Sequence, residues 1–239
     1  MPTQILTDQE LFFDGLKLTS ITTAMDLNYA VEGQNDTTFG DTTASEKGGL
    51  KIVEFGASGF FDATPQDQVL FGDVGLDDKP CSIAANSAEG SRAFTFLSTL
   101  GKYSPIKGEV GDMIGFDISA AARGNLVRGQ LICNQAAIAA SGNRSPYQVG
   151  AATSGQIIHA ALHVFSVSGT TPTIDVTISS DNAVGFSSPI TRFTFAQMNA
   201  RGSQYLTLPG AITDDYWRVN YTVGGTTPSF GVAVVLGIV

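Results

Sequence analysis

The segment Thr173-Ile174-Asp175-Val176-Thr177-Ile178-Ser179 alternates polar and apolar residues without a break. Only a strand sends successive side chains to opposite faces, so this stretch can bury one face while the other stays wet. Met25-Asp26-Leu27-Asn28-Tyr29-Ala30-Val31 shows the same period. Leu50 to Phe61 reads as a longer strand with a bulge or bend at Gly56. Further short apolar or alternating runs follow at 93–97, 110–118, 126–133, 157–167, 191–195, 205–208, 216–223 and 230–238. Gly, Pro and Asn signals separate them. Such a series predicts an all-β fold, an antiparallel β-sandwich or barrel of one or two modules.

Helix is scarce. A short helix is expected over Pro65–Phe71, with Thr64 as its cap and Asp67 near the positive end of its dipole. A second is expected at Phe195–Ala200. No βαβ rhythm is present, which argues against a parallel doubly wound sheet. Around 136–154 the chain becomes small and polar, so that stretch is expected to be a linker or long loop. It would join an N-terminal β module, 1–135, to a C-terminal one, 155–239; no sequence repeat crosses it.

The 239 residues carry only 15% charged side chains, against about 25% in ordinary domains. A weakly charged surface rich in Gly, Ser, Thr and Ala suits a protein covered by other subunits. Its net charge of −9 is uneven: residues 1–120 hold eighteen acidic and seven basic side chains, the remainder four and six. That balance opposes nonspecific adhesion to nucleic acid or to an anionic membrane, and could guide head-to-tail association. Cys81 and Cys133 make no disulfide framework or metal cluster, so buried thiols are expected. No apolar run reaches the roughly 18 residues of a membrane span. Met1–Asp8 lacks the basic and apolar stretches of a secretory signal, so synthesis in a cytosol is expected.

Catalytic constellations are sought without success. His159 and His163 lie four apart and so on one face of a strand, yet no Cys, Asp or Glu nearby in sequence completes the three or four ligands zinc needs. Asp73, Asp77 and Asp78 do not follow calcium-loop spacing and read as an acidic solvent loop. No nucleophile elbow or phosphate loop occurs. Trp217, in Asp-Asp-Tyr-Trp-Arg-Val-Asn-Tyr, is expected to be a packing anchor. The chain is thus read as non-enzymatic, without metal or cofactor.

Two stretches stand out together. The first is Asn35-Asp-Thr-Thr-Phe-Gly-Asp41, followed by Gly49-Leu-Lys-Ile-Val-Glu-Phe-Gly-Ala-Ser-Gly-Phe-Phe-Asp62. The second is Asp215-Tyr-Trp-Arg-Val-Asn-Tyr-Thr-Val-Gly-Gly225 with Pro228-Ser-Phe-Gly-Val-Ala-Val-Val-Leu-Gly237. Together they resemble the tail tube (major tail) proteins of long-tailed bacteriophages; the resemblance covers about half the chain, and its motifs are architectural. It implies a virion tail protein made in the host cytoplasm, assembling with itself and with other tail proteins. Rings of six, or a pseudo-six-fold equivalent, would stack around a channel that DNA crosses without specific binding. It also implies an inter-subunit loop at Asp36, Thr37, Thr38, Phe39 and Asp41, within Gly33–Gly49, and an acidic channel lined from the first half. The alternative is a capsid decoration protein or a receptor- or carbohydrate-binding β-sandwich, which would expose Trp217 and Tyr221.

Overall fold

The computed structural model describes residues 7–239. It is built almost wholly of antiparallel strands: β1 Glu10–Phe13, β2 Leu16–Lys17, β3 Thr22–Asn35, β4 Glu46–Phe60, β5 Lys79–Ala84, β6 Arg92–Lys107, β7 Gly115–Ala122, β8 Val127–Ile138, β9 Gly142–Asn143, β10 Tyr147–Gln148, β11 Ile157–Asp181, β12 Ile190–Thr194, β13 Gly202–Pro209 and β14 Tyr216–Ile238. Among the described residues the single α-helix, α1, is Gln68–Asp73, preceded by a π-helical turn over Ala63–Asp67. The chain forms two compact units, both discontinuous in sequence. Of the described residues, unit 1 comprises those up to 20, 79–97 and 127–239; unit 2 comprises 21–78 and 98–126.

The division is therefore not at 136–154. That stretch lies inside unit 1, where it ends β8 and supplies β9 and β10, and both short strands pair with β14. Tyr147 pairs with Trp217 and Asn143 with Asn220. Arg144 clamps the segment through three hydrogen bonds to Glu89, at 3.0, 3.2 and 3.1 Å, so a small polar composition here marks a pinned loop rather than a linker.

Unit 1 is organised by one strand pair. β11 and β14 pair antiparallel from Ile158 opposite Ile238 to Asp181 opposite Tyr216. Midway both strands bend, each at the same tetrapeptide: Gly169-Thr-Thr-Pro172 and Gly225-Thr-Thr-Pro228. This short repeat faces itself, with Thr170 opposite Thr226. Gly169 and Gly225 have φ of +116° and +105°, and Thr171 and Thr227 both have φ of +47°. A Cβ on Gly225 would sit 2.6 Å from the Thr171 carbonyl oxygen. The prolines give no N–H to the ladder, and the register shifts beside them, as expected of paired bulges. Each strand is thereby folded over, and one core takes side chains from both limbs: Leu162 and Val164 before the bend in β11, Val176 and Ile178 after it, Trp217 and Val219 in β14 with Val232 and Val234. Each large apolar side chain buried there contributes roughly 1.5–3 kcal/mol.

His163 is fully buried in unit 1. Its Nε2 lies 2.9 Å from the Ser82 hydroxyl, which meets Thr95 Oγ1 at 2.9 Å, and its ring stacks on Phe12 with centroids 5.6 Å apart. Its Nδ1 has no hydrogen-bond partner. Burial lowers its pKa to about 4, against a weaker opposing pull from Asp14.

Unit 2 is a four-stranded sheet in the order β3–β4–β7–β6, the last strand contributing from residue 98 onward. Leu27–Phe55–Ala120–Leu100 and Met25–Ala57–Ile118–Tyr103 form rows on one face. The helical segment is tied to that sheet: the Tyr103 hydroxyl donates to Asp67 at 2.9 Å, Val74 bridges Leu100, and Leu70 is fully buried. The cap of this segment is Asp62, whose side chain accepts from the Thr64 N–H at 3.1 Å, rather than Thr64.

Three other expectations are corrected. Phe195–Ala200 is irregular, held by a bridge between Met198 and Ile174. Gly56 sits in unbroken register between Asp26 and Ser119, without a bulge. Val110–Ile114 precedes β7 as an exposed loop, because its apolar side chains have nothing of the sheet to pack against.

Gly225→Ala should destabilise the chain by more than about 1 kcal/mol, since alanine resists this φ, whereas Thr171→Gly should be near neutral; denaturant unfolding separates them. For His163, the unfolded imidazole binds a proton below about pH 6.5 and the folded one only below about pH 4. Stability is thus intact above pH 6.5 and falls as pH drops through that window, by up to about 3 kcal/mol from this group. His163→Gln should flatten the decline between pH 6.5 and 4 relative to the parent.

Candidate functional site

The features without an internal explanation gather in unit 2. It carries fourteen acidic and five basic side chains, the whole net charge of −9, whereas unit 1 carries eight of each. Of seventeen exposed large apolar side chains among the described residues, thirteen belong to unit 2.

Some of these line an arm. Beyond the four-stranded region β3 and β4 continue as a two-stranded hairpin, pairing Val31 with Lys51, Gly33 with Gly48 and Asn35 with Glu46. Alternation places Tyr29 and Val31 on one face of the arm and Ile52 and Leu50 on the other, and all four are exposed. A hairpin with apolar side chains on both faces and water around it is an unfinished layer.

The expected inter-subunit loop forms the tip. Asp36 N–H donates to the Ser45 carbonyl at 3.0 Å, and the Asp36 carboxylate pairs with Lys47 at 3.0 Å. Thr37 Oγ1 accepts from Ser45 N–H at 2.9 Å, and its own N–H donates to Asn35 Oδ1. Thr38 donates both N–H, at 2.7 Å, and hydroxyl, at 3.0 Å, to Asp41 Oδ2. The Thr38 N–H holds the Asp41 carboxyl below its ordinary pKa; Ser45 and Lys47 do the same for Asp36. The loop is thus a set of short polar ties, and Phe39, its one large apolar side chain, stands completely exposed.

The opposite face of the unit 2 sheet, away from Leu27 and Phe55, is polar and low. Its rows read Ala24–Ser58–Asp117–Ser104, Asp26–Gly56–Ser119–Lys102 and Asn28–Glu54–Ala121–Thr99. Small side chains in the middle leave a shallow groove of about 340 Å³ along it. Carboxylates outnumber amines on this face, where Asp26, Glu54 and Asp117 are set against Lys102. Lys107 reaches Asp117 at 2.7 Å from the end of β6.

The other sequence-marked residues are structural. Trp217 is fully buried, its indole N–H donating to the Gly150 carbonyl at 2.9 Å. Tyr221 is half-buried against the same core. His159 and His163 have separate partners: Nδ1 of His159 lies 3.2 Å from the Tyr205 hydroxyl, and His163 meets Ser82. Among the described residues no group of three or more His, Cys, Asp or Glu is arranged to hold a metal. Cys81 and Cys133 are buried free thiols, their pKa values pushed up by desolvation. The exposed arm faces escaped sequence reading because alternation marks one face as core, and here both faces of the hairpin are exposed.

No protein-family model and no curated protein matches the chain. Among solved structures it is similar to the SPP1 tail tube, at TM-score 0.43 and 12% identity, over 53% of this chain and 78% of that one. It is similar to a chain in the virion of a native gene transfer agent particle, at TM-score 0.40 and 12% identity, over 52% and 97%. It is also similar to the SPP1 Dit protein, a hub adsorption protein of phages infecting Gram-positive bacteria, at TM-score 0.38 and 13% identity, over 98% and 100%.

Proposed function

We propose that this chain is a virion structural protein, a phage tail tube subunit that associates with copies of itself and with other tail proteins. Its stacked rings, hexameric or pseudo-hexameric, surround a channel through which DNA passes without specific binding. The observation that carries this reading is the make-up of unit 2, which combines an acidic sheet face, an unfinished apolar arm and an open strand edge.

The open edge is β3, fourteen residues long, which pairs only with β4 among the described residues. Such an edge templates another strand unless it is blocked. A neighbouring subunit's strand added there would continue the sheet, and closure into a ring would remove the edge. Within the ring the face bearing Asp26, Glu54 and Asp117 turns to the channel. Carboxylates on a floor of Gly, Ser and Ala repel phosphate and offer no large side chain for a base to stack on. The arm, with Phe39 at its tip, reaches another subunit and covers its apolar faces there. A reaction has no place in this account: among the described residues, His159 and His163 meet Tyr205 and Ser82, and Cys81 and Cys133 are buried thiols. A carbohydrate-binding role loses its aromatic platform with Trp217 in the core.

Electron microscopy of the purified chain at rising concentration tests the reading. Hollow tubes or stacked rings with a channel wide enough for duplex DNA are expected; particles that stay monomeric or compact would sink it. The channel assignment is tested separately with Asp26→Lys/Glu54→Lys. This variant should still form tubes but should retain duplex DNA in a salt-sensitive way, as the parent does not. Tubes of the variant that ignore DNA would place this face elsewhere.

A further inference from the structure

The arm needs a receiving surface, and the basic side chains of unit 1 identify one. Of the thirteen Lys and Arg residues in the chain, nine are engaged within the fold by a carboxylate, an aromatic ring or an amide. Arg92, Lys102, Arg128 and Arg201 have no ion-pair partner among the described residues. Two of these four share a face: β6 and β8 pair Arg92 with Gln130 and Phe94 with Arg128. Alternate residues of a strand point the same way, so Arg92, Phe94, Arg128 and Gln130 project together, the two arginines diagonally related at roughly 7–8 Å. Both arginines are exposed, and Phe94 between them is partly so.

The arm is complementary in charge and in kind. From Gly33 to Gly49 it carries Asp36, Asp41 and Glu46 against Lys47, and Glu32 stands just before. Lys47 is taken by Asp36, which leaves Glu32 and Glu46 exposed without a basic partner among the described residues. Phe39 is fully exposed among these acids. An acidic hairpin with one free aromatic ring matches a face of two unpaired guanidinium groups flanking a half-exposed ring. Guanidinium groups also stack on aromatic faces, which lysine does less well.

We infer that the arm of unit 2 in one copy docks on the Arg92–Phe94–Arg128 face of unit 1 in a second copy. This rests on the self-association reading above and adds the receiving surface to it. The contact is head-to-tail: arm and receptor are different patches, so each copy still presents one of each and assembly continues until the geometry closes. Unit 1, with no net charge of its own, accepts the acidic arm without the like-charge repulsion that two units 2 would meet.

The test is a reciprocal charge swap in the full chain. Arg92→Glu/Arg128→Glu should leave the thermal melt unchanged, since both side chains are exposed. It should raise the concentration at which half the protein is assembled by about tenfold or more, as read by sedimentation and electron microscopy. Adding Glu32→Arg/Glu46→Arg to the same chain should bring it back to within about threefold of the parent. Assembly indifferent to the first swap, or lowered and not restored by the second, overturns this docking while leaving the tube reading in place. The docking is equally overturned if the swap abolishes binding of a short DNA duplex and leaves assembly alone, because the face would then serve phosphate. A parent chain that is monomeric at every concentration overturns the self-association reading and the docking with it.

Discussion

Unit 1 depends on the pairing of its two longest strands and on their folding over at one shared corner. Laid straight, the 25 residues of β11 would run about 80 Å, a ribbon with two faces to cover and no second layer to cover them. The paired Gly-Thr-Thr-Pro bends turn that ribbon back, so that Leu162 and Val176, on either side of the corner, enter the same core. Other strands then attach alongside this pair: β8, β9 and β10 on β14, β12 and β13 on β11, with β8 leading on to β6. The corner costs strain, since β-branched Thr171 and Thr227 take a left-handed backbone that such residues avoid. Burial of the two limbs against each other offsets it.

What could be read from the residues was local. The alternation at Thr173–Ser179 and the segments on either side gave the strands of β11 and β14, and Thr64 to Phe71 gave the short helical piece with its cap misplaced by two residues. The long-range part was hidden. Nothing near Ser20, Asp78, Leu97 or Leu126 announces that the chain leaves one unit for the other, because each of these passages runs within or between ordinary strands. Composition at 136–154 pointed to a linker or long loop and could not decide between them, since periodicity cannot register that Arg144 is held by Glu89 fifty-five positions away. Val110–Ile114 looked like a strand for the opposite reason, being apolar yet exposed. At the candidate surface, the tip residues Asp36 to Asp41 were singled out by resemblance, whereas the diagonal placement of Arg92 on β6 and Arg128 on β8 became visible only with the register.

The two units divide the physical burdens of the chain. Unit 1 balances its charges and encloses a core large enough to hold Trp217 without exposure. Unit 2 keeps the acidic excess, the open β3 edge and most of the exposed apolar side chains. A separation of this kind suits the self-association proposed above, because a stable body would persist whether or not such surfaces had found their partners.

The polar ties of the arm tip have a further consequence for how fast and how selectively that surface can engage. Thr37, Thr38, Asp41 and Ser45 already hold the loop in one shape before any partner arrives. Much of the ordering entropy that a floppy loop would surrender on docking has therefore been surrendered during folding. On the proposed docking, encounters need not wait for the loop to find its conformation, so the approach of Phe39 to a receiving surface is a rigid-body search. A rigid tip also tolerates few alternative surfaces, and the same ties that speed the right contact narrow the range of wrong ones.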